Sequence, residues 1–260
     1  MTTIHLIDGN NTFRRTFEAT GMMRGVLADI QMMYPVGDPV IYVWDGYHSK
    51  KYRRDIYPNY KVKRVRATDE FYKTQDLFKQ VLLHTRCIQV EVPYHEADDV
   101  IAALVRSRAG TGQRFKIYSN DGDFLALCDG TNVTIHGRDN VVYEATDWTE
   151  VRLRKTLVGD ASDSISGVYK FGDVAWSNTD KKLWLDYFVN STPLDFEMFA
   201  EALALKPASL KWIKENEPVL RKMWDIIGFR DVPDAELKKY MKAGIPNIGQ
   251  IENILKGYML

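Results

Sequence analysis

The sequence lacks most of the features that would assign it quickly to a class. It has two cysteines in 260 residues, Cys87 and Cys128, without the spacing of metal ligands, so a reduced chain without disulfides, suited to the cytoplasm, is expected. It has no excess of either charge. Thirty-five Lys and Arg balance 35 Asp and Glu, so net charge excludes no class of partner and only the distribution of charge is informative. No apolar run is long enough to span a bilayer. The opening MTTIHLIDGN sets an acid directly behind a short apolar run, unlike a secretory leader. Internal repeats and low-complexity tracts are also missing. What remains is a chain that is 45% hydrophobic, enough to bury one large core and a smaller one. Nothing points beyond a monomer.

Apolar runs followed by acids are the recurring pattern. Thr3–Ile7 reads as a buried strand ending at Asp8, and Pro39–Trp44 as a second ending at Asp45. Met23, Val26, Leu27, Ile30, Met33 and Tyr34 recur at helical spacing between them. A helix is expected around 69–84, a strand at Ile88–Val92, and a helix from about 96 to 108. A strand at Phe115–Ser119 follows, then short β-like runs at 132–136 and 141–144. This alternation predicts an α/β domain over residues 1–150, with a mostly parallel central sheet flanked by helices. Residues 151–260 read as helical, through WLDYFV, EMFAEALAL, LKWI and VLRKMWDIIGF. The C-terminal stretch reads as two short helices around Gly244–Pro246.

In a parallel sheet the strand ends lie on one edge, the edge at which open α/β folds bind ligands. That places Asp8, Asp45 and Asp121 together, with Asp123 two residues on in SNDGDF. The stretch HEADDVIAAL adds Glu96, Asp98 and Asp99 at a helix start behind another strand. VGDASDSISG holds Asp160 and Asp163, three apart and able to share a helix face. Each acid has a simpler explanation as a cap or turn residue, and Asp129 in CDG is read as only that. Nine carboxylates crowded together would repel. At about 4 Å and an effective dielectric of about 20, a like-charged pair costs roughly 4 kcal/mol. Oxygen-liganded divalent cations, Mg²⁺ or Mn²⁺, would relieve this, and nine acids suit two sites better than one. Two such ions suit in-line phosphodiester hydrolysis.

A basic counterpart lies at 50–66, KKYRRDIYPNYKVKRVR, with Tyr52, Tyr57 and Tyr60 interleaved. A solvated charged loop would look the same, but cations and aromatics also bind phosphates and stack bases. Read with the acidic edge, the segment describes a phosphodiester site.

LIDGN, VWDG, YPNYKVKR, HEADDVIAAL, SNDGDFLAL and KTLVGDASDSISGV, in this order, resemble the structure-specific 5′-nuclease family. That family includes bacteriophage flap endonucleases and the 5′-nuclease domain of bacterial DNA polymerase I. The resemblance spans residues 4 to about 175. It implies that Asp8, Asp45, Glu96, Asp98 and Asp99 form a first metal cluster, and Asp121, Asp123, Asp160 and Asp163 a second. It implies that Lys61 and Arg64 act on the scissile phosphate, making Lys61, Arg64, Asp45 and Asp121 the expected catalytic set. Residues 47–68 would form a helical arch. A helix–three-turn–helix at 160–175 would grip duplex DNA with a bound K⁺. Lys51, Arg53, Arg54, Tyr60, Lys61, Lys63, Arg64, Arg66, Lys155 and Lys170 are the implied nucleic-acid contacts. One departure stands out: GVYKFG carries Lys170 where the family usually has glycine. A lysine there either disfavours the glycine-dependent turn and its ion site or supplies a phosphate contact.

The expected activity is metal-dependent 5′→3′ exonuclease and flap endonuclease action on branched or 5′-ended DNA, extending to RNA in RNA–DNA hybrids. The compact length suggests a phage-type enzyme, and replication proteins are conceivable partners that no residue identifies. The alternatives are a non-cleaving branched-DNA binder on the same scaffold and a PIN-type ribonuclease. A haloacid-dehalogenase-type phosphatase is set aside because IDGN lacks the second Asp that its motif needs.

Overall fold

The computed structural model of the protein describes residues 2–20, 37–129, 131–137, 142–143 and 147–258. The helical run expected between Met23 and Tyr34 lies outside them. The chain divides into two compact units. One comprises Met1–Ser49, Arg66–Ala145 and Phe229–Leu260, the other Lys50–Val65 and Thr146–Gly228.

The first unit is built on a seven-stranded sheet of order β6-β5-β4-β1-β2-β3-β7. Its strands are β1 (Thr3–Asp8), β2 (Val40–Asp45), β3 (Ile88–Val92), β4 (Arg114–Tyr118), β5 (Val133–His136), β6 (Val142–Tyr143) and β7 (Met241–Ala243). The first five pair in parallel, whereas β6 and β7 run antiparallel at the two edges. Both faces of the sheet are covered, which is why β1 and β2 read as continuous apolar runs rather than alternating ones. Leu6, Val43, Val90 and Ile117 face the helix Ala97–Arg106 through Val100, Ile101 and Leu104. Ile7, Tyr42 and Trp44 take the opposite face with Phe13 and with Phe71, Phe78 and Leu82 of the helix Asp69–Leu82. That helix begins where expected because the Thr68 hydroxyl accepts the Phe71 amide at 3.2 Å. Each such fully buried large side chain contributes about 2–3 kcal/mol.

The second unit surrounds a separate core of Leu153, Leu157, Trp184, Tyr187, Leu220 and Met223. Its helices include Trp148–Leu157, Asp173–Asn178, Lys181–Val189 and Pro207–Ile226. The last bends at Asn216 (φ −130°, ψ 22°), two residues ahead of Pro218, whose missing N–H interrupts the helical ladder. Between the first two helices a tight hairpin joins Asp160 and Ile165 by reciprocal backbone hydrogen bonds of 2.9 and 2.8 Å. Gly167 (φ +66°) lets Val168 N reach the Leu157 carbonyl at 2.8 Å. A Cβ there would lie 2.5 Å from backbone.

Several expectations change. The two units interleave, so no single boundary falls near residue 150. The C-terminal segment returns to the first unit because Met241–Ala243 pairs antiparallel with β3, a strand where only two helices were expected. Residues 50–65 belong to the second unit because Tyr57 and Tyr60 are buried in its core. Residues 47–68 contain one short helix, Lys51–Ile56, followed by turns. EMFAEALAL is not a helix but successive turns over 196–204. Asp195 captures the Glu197 and Met198 amides there, both at 3.0 Å, while Phe196 and Leu203 stay buried. The helix Gly9–Thr20 went unread because its sequence is largely polar and only Phe13 and Phe17 mark its apolar face.

The close approach of β2 and β3 at the carboxyl edge rests on Gly46. A Cβ there would sit 1.8 Å from the Val92 carbonyl oxygen. Gly46→Ala is therefore expected to cost about 3 kcal/mol or more, roughly 10 °C in thermal melting. Gly122→Ala, where added carbon meets open space, is the control and should melt close to the parent.

Candidate active site

Seven of the nine predicted carboxylates belong to the first unit, and the parallel sheet brings them to its carboxyl edge. Asp8 ends β1 and Asp45 ends β2. Glu96 precedes the helix Ala97–Arg106, which carries Asp98 and Asp99. Asp121 and Asp123 open the 3-10 turn Gly122–Leu127 behind β4.

Asp8 sits deepest. It accepts the Asn11 amide at 3.1 Å and the Ser119 hydroxyl at 2.8 Å. Burial pushes its carboxyl up to about 7 against those hydrogen bonds, and the charges of Asp45 and Asp121 push it the same way. The crowding read from the sequence is thus felt at this residue. Ser119 Oγ also accepts the Asp121 amide at 3.1 Å, and Asn11 Oδ1 accepts the Asn120 amide at 3.1 Å, so the ends of β1 and β4 are tied twice. Asp121 in turn accepts the Asp123 amide at 3.0 Å.

Asp45 Oδ1 accepts the Ala97 amide at 2.9 Å, joining β2 to the acidic helix start. Asp98 accepts the Asp99 amide at 2.7 Å. Asp99 is fully buried. It accepts the Glu96 amide at 3.3 Å and the Arg230 amide at 2.8 Å. Among the first-turn acids, Asp99 therefore has a clear capping role as well. Asp129 is the turn residue it was read to be. Burial alone would raise its carboxyl, but the amides of Val133, Thr131 and Asn132 outweigh that and hold it low.

The remaining nominated residues meet within the second unit. Asp163 Oδ1 lies 3.0 Å from Arg64 Nη2 and 3.8 Å from Lys61 Nζ, and the Lys61 amide donates to the Asp163 carbonyl at 2.8 Å. Lys61 is buried with a positive φ of 52°, and its ammonium stands 4.7 Å from the centre of the Tyr60 ring. Lys155 Nζ lies 2.8 Å from Asp160 Oδ2. Burial would raise Asp160, but Lys155 and the Ser162 hydrogen bonds prevail and lower it.

Two nominated contacts change character. Arg53 is buried, and its guanidinium donates to the carbonyls of Ile226 at 3.1 Å and Gly228 at 2.9 Å. Tyr60 is buried in the core. Both build the unit rather than a surface for nucleic acid. Arg54 supports the loop through the Tyr60 and Lys61 carbonyls. Lys51, Lys63, Arg66 and Lys170 are exposed. Lys170 adopts φ +59° as third residue of a turn closed by Phe171 N to Val168 O at 3.0 Å, so lysine itself occupies the position where a turn of this kind favours glycine.

Ser119, Asn11 and Arg230 were not singled out from the sequence. A Ser or Asn beside an acid is too common to stand out, and Arg230 is more than a hundred residues away from Asp99.

The donor set of the first unit is carboxylate oxygen, with histidine and cysteine thiolate taking no part, which fits a hard divalent cation. Asp8 gives a second reason, since a carboxyl raised by burial, and further by Asp45 and Asp121, is relieved by positive charge. Among the described residues no three or more His, Cys, Asp or Glu close into a ready ligand set.

Because folding raises Asp8 above the ordinary carboxylate value, its ionisation works against the fold, and stability falls as pH rises from about 4 through about 7. In EDTA, Asp8→Asn should melt higher than the parent at pH 8, by an amount equivalent to a few kcal/mol. The gain should vanish near pH 4, as thermal melts across pH would show. Arg53→Ala should lose about 3 kcal/mol by leaving two carbonyls without donors, measured by urea unfolding.

Residues 3–153 match the family model described as the 5′-3′ exonuclease N-terminal resolvase-like domain. The thermostable DNA polymerase I of Thermus aquaticus is 27% identical over 249 residues, covering 88% of this chain and 29% of the polymerase. The chain thus spans less than a third of the length of that relative. A 5′-3′ exonuclease of Aquifex aeolicus is 28% identical over 208 residues, 70% of each chain. Among solved structures, a bacteriophage T5 protein co-crystallized with metal ions superposes with a TM-score of 0.67 at 17% identity, covering 98% of both chains. The catalytic core of Rad2 in complex with DNA gives 0.54 at 16% identity, covering 98% of this chain and 86% of that one. These two establish likeness of fold. With the family model matching more than half of its residues, and with the acids above set along the sheet edge, this chain belongs to the 5′-3′ exonuclease family.

Proposed function

We propose that the protein hydrolyses phosphodiester bonds near the 5′ ends of DNA, as a 5′→3′ exonuclease and flap endonuclease, and that it accepts RNA in RNA–DNA hybrids. The observation that carries this reading is the buried Asp8, raised to about 7 by burial and by Asp45 and Asp121, at the ligand-binding edge of a parallel sheet. The named activities of the relatives support it.

Mg²⁺ or Mn²⁺ at two sites, held by the acids Asp8, Asp45, Glu96, Asp98, Asp99, Asp121 and Asp123 with Asp160 and Asp163, would neutralise the phosphate and activate water. The chain's own residues do the rest. Ser119 and Asn11 fix the Asp8 carboxylate. The Lys61 ammonium and Arg64 guanidinium bind and polarise the scissile phosphate, and Asp163 orients both. Lys51, Lys63, Arg66 and Lys170, with Lys155 beside Asp160, contact the sugar–phosphate backbone. The turn carrying Lys170 lies in the segment proposed as the helix–three-turn–helix.

A 5′-labelled flap substrate tests the reading. Short 5′ fragments should appear with Mg²⁺ or Mn²⁺ and disappear with EDTA, and structureless RNA should be cut far more slowly. Binding without turnover in every divalent metal would leave a non-cleaving DNA binder instead. Lys61→Ala should lower kcat by about 10²–10³-fold with little change in Kd. Lys63→Ala and Arg66→Ala should each reduce the slope of log K against log salt by about 1, whereas Arg53→Ala should leave that slope unchanged.

A further inference from the structure

Three rings of the first unit, Tyr47, His48 and Tyr94, have no part in the chemistry above, yet they stand beside its acids on exposed loops. Their placement follows from the sheet. β2 and β3 are parallel with Asp45 opposite Val92. Two residues further along each chain, Tyr47 falls opposite Tyr94, and the Tyr94 amide donates to the Tyr47 carbonyl at 2.8 Å. The Gly46 amide donates to the His95 carbonyl at 3.0 Å, and the Arg230 guanidinium to the Tyr94 carbonyl at 2.7 Å. The two loops are therefore held together from both sides.

These rings are exposed. Tyr47 is 70% exposed and Tyr94 48%, and His48 is exposed as well. His48 bridges the pair, with its centroid 3.8 Å from Tyr47 and 6.0 Å from Tyr94, the latter nearly parallel at 27°. Both His48 (φ 55°) and Tyr94 (φ 64°) have a positive φ, a conformation that histidine tolerates better than most side chains but a tyrosine rarely occupies. Glycine would relieve that strain, so the rings are kept at a cost to the fold. On the same loops, Asp45 lies two residues before Tyr47 and Glu96 two residues after Tyr94.

We propose that Tyr47, His48 and Tyr94 form a stacking platform for unpaired nucleobases of the substrate strand, next to the carboxylate edge. The inference rests on the nuclease reading but assigns residues that this reading leaves idle. Stacking on ring faces is tolerant of base identity, so it favours any base over an abasic site and single strand over duplex, because a stacked duplex offers no free face. The platform holds a frayed or single-stranded nucleotide while a phosphate of its strand lies at the acids.

The test uses the full chain with 5′-flap DNA carrying 2-aminopurine or an abasic residue at successive flap positions. Binding is measured in EDTA by anisotropy and base fluorescence, and cleavage is measured separately with Mg²⁺. The parent should quench 2-aminopurine at one or two positions and bind the matching abasic flap about 5- to 100-fold more weakly. Tyr47→Ala and Tyr94→Ala should bind the intact flap that much more weakly and no longer distinguish it from the abasic one. Tyr47→Phe should behave as the parent, and blunt duplex affinity should not change. Tyr94→Gly should melt no lower than the parent while losing the preference, which separates ring loss from misfolding. Equal affinity of the parent for intact and abasic flaps at every position would overturn the platform, as would alanine variants that keep the preference. Absence of any metal-dependent cleavage by the parent would instead overturn the nuclease reading.

Discussion

Parallel strands can place chemistry from distant parts of a chain on one line, because every strand enters at the same side and leaves at the other. β1, β2, β3 and β4 do so here, and the acids or acid-bearing turns follow their exits. The arrangement is costly. Asp8 is buried, and the charges of Asp45 and Asp121 add to the burial that raises it. The surroundings answer with donors that fix geometry: Ser119 and Asn11 on Asp8, the Ala97 amide on Asp45, and the Glu96 and Arg230 amides on Asp99. At Asp8 the donors, Ser119 and Asn11, are neutral; they hold the carboxylate in place and leave it able to attract a cation.

The second unit places its acids beside cations. Asp160 and Asp163 are each paired with a cation, Lys155 in one case and Lys61 with Arg64 in the other. The basic segment that supplies Lys61 and Arg64 is anchored by residues of the same run, since Arg53, Tyr57 and Tyr60 are sunk into the core. One stretch of sequence thus contains both the charges that face outward and the anchors that hold them. Chemistry of type alone does not separate the two groups, because an arginine capping carbonyls and an arginine meeting phosphates look identical in one dimension.

That distinction marks the boundary of what the sequence discloses. The sheet, its direction and the carboxylate edge were legible because burial on both faces writes long apolar runs and because each strand is closed by an acid. Asp129 was rightly read as a turn residue from its CDG setting. Arg53 and Tyr60 were misassigned because burial in a mostly helical unit follows tertiary packing, which a basic run conceals. The pairing of Met241–Ala243 with β3 was unreadable since a three-residue edge strand carries almost no periodicity. The sequence left open whether Lys170 disfavours its turn or supplies a phosphate contact; the turn forms, with Lys170 at φ +59° and Phe171 N bonded to Val168 O.

Arg230 touches both Asp99 and the Tyr94 loop, and it is translated after the whole of residues 50–228. During synthesis on the ribosome, the acidic helix start therefore emerges long before the amide that secures it. The same delay applies to β7, which covers the free side of β3. The hydrogen bonds that order this acidic helix start are therefore complete only once a segment more than a hundred residues downstream has been made.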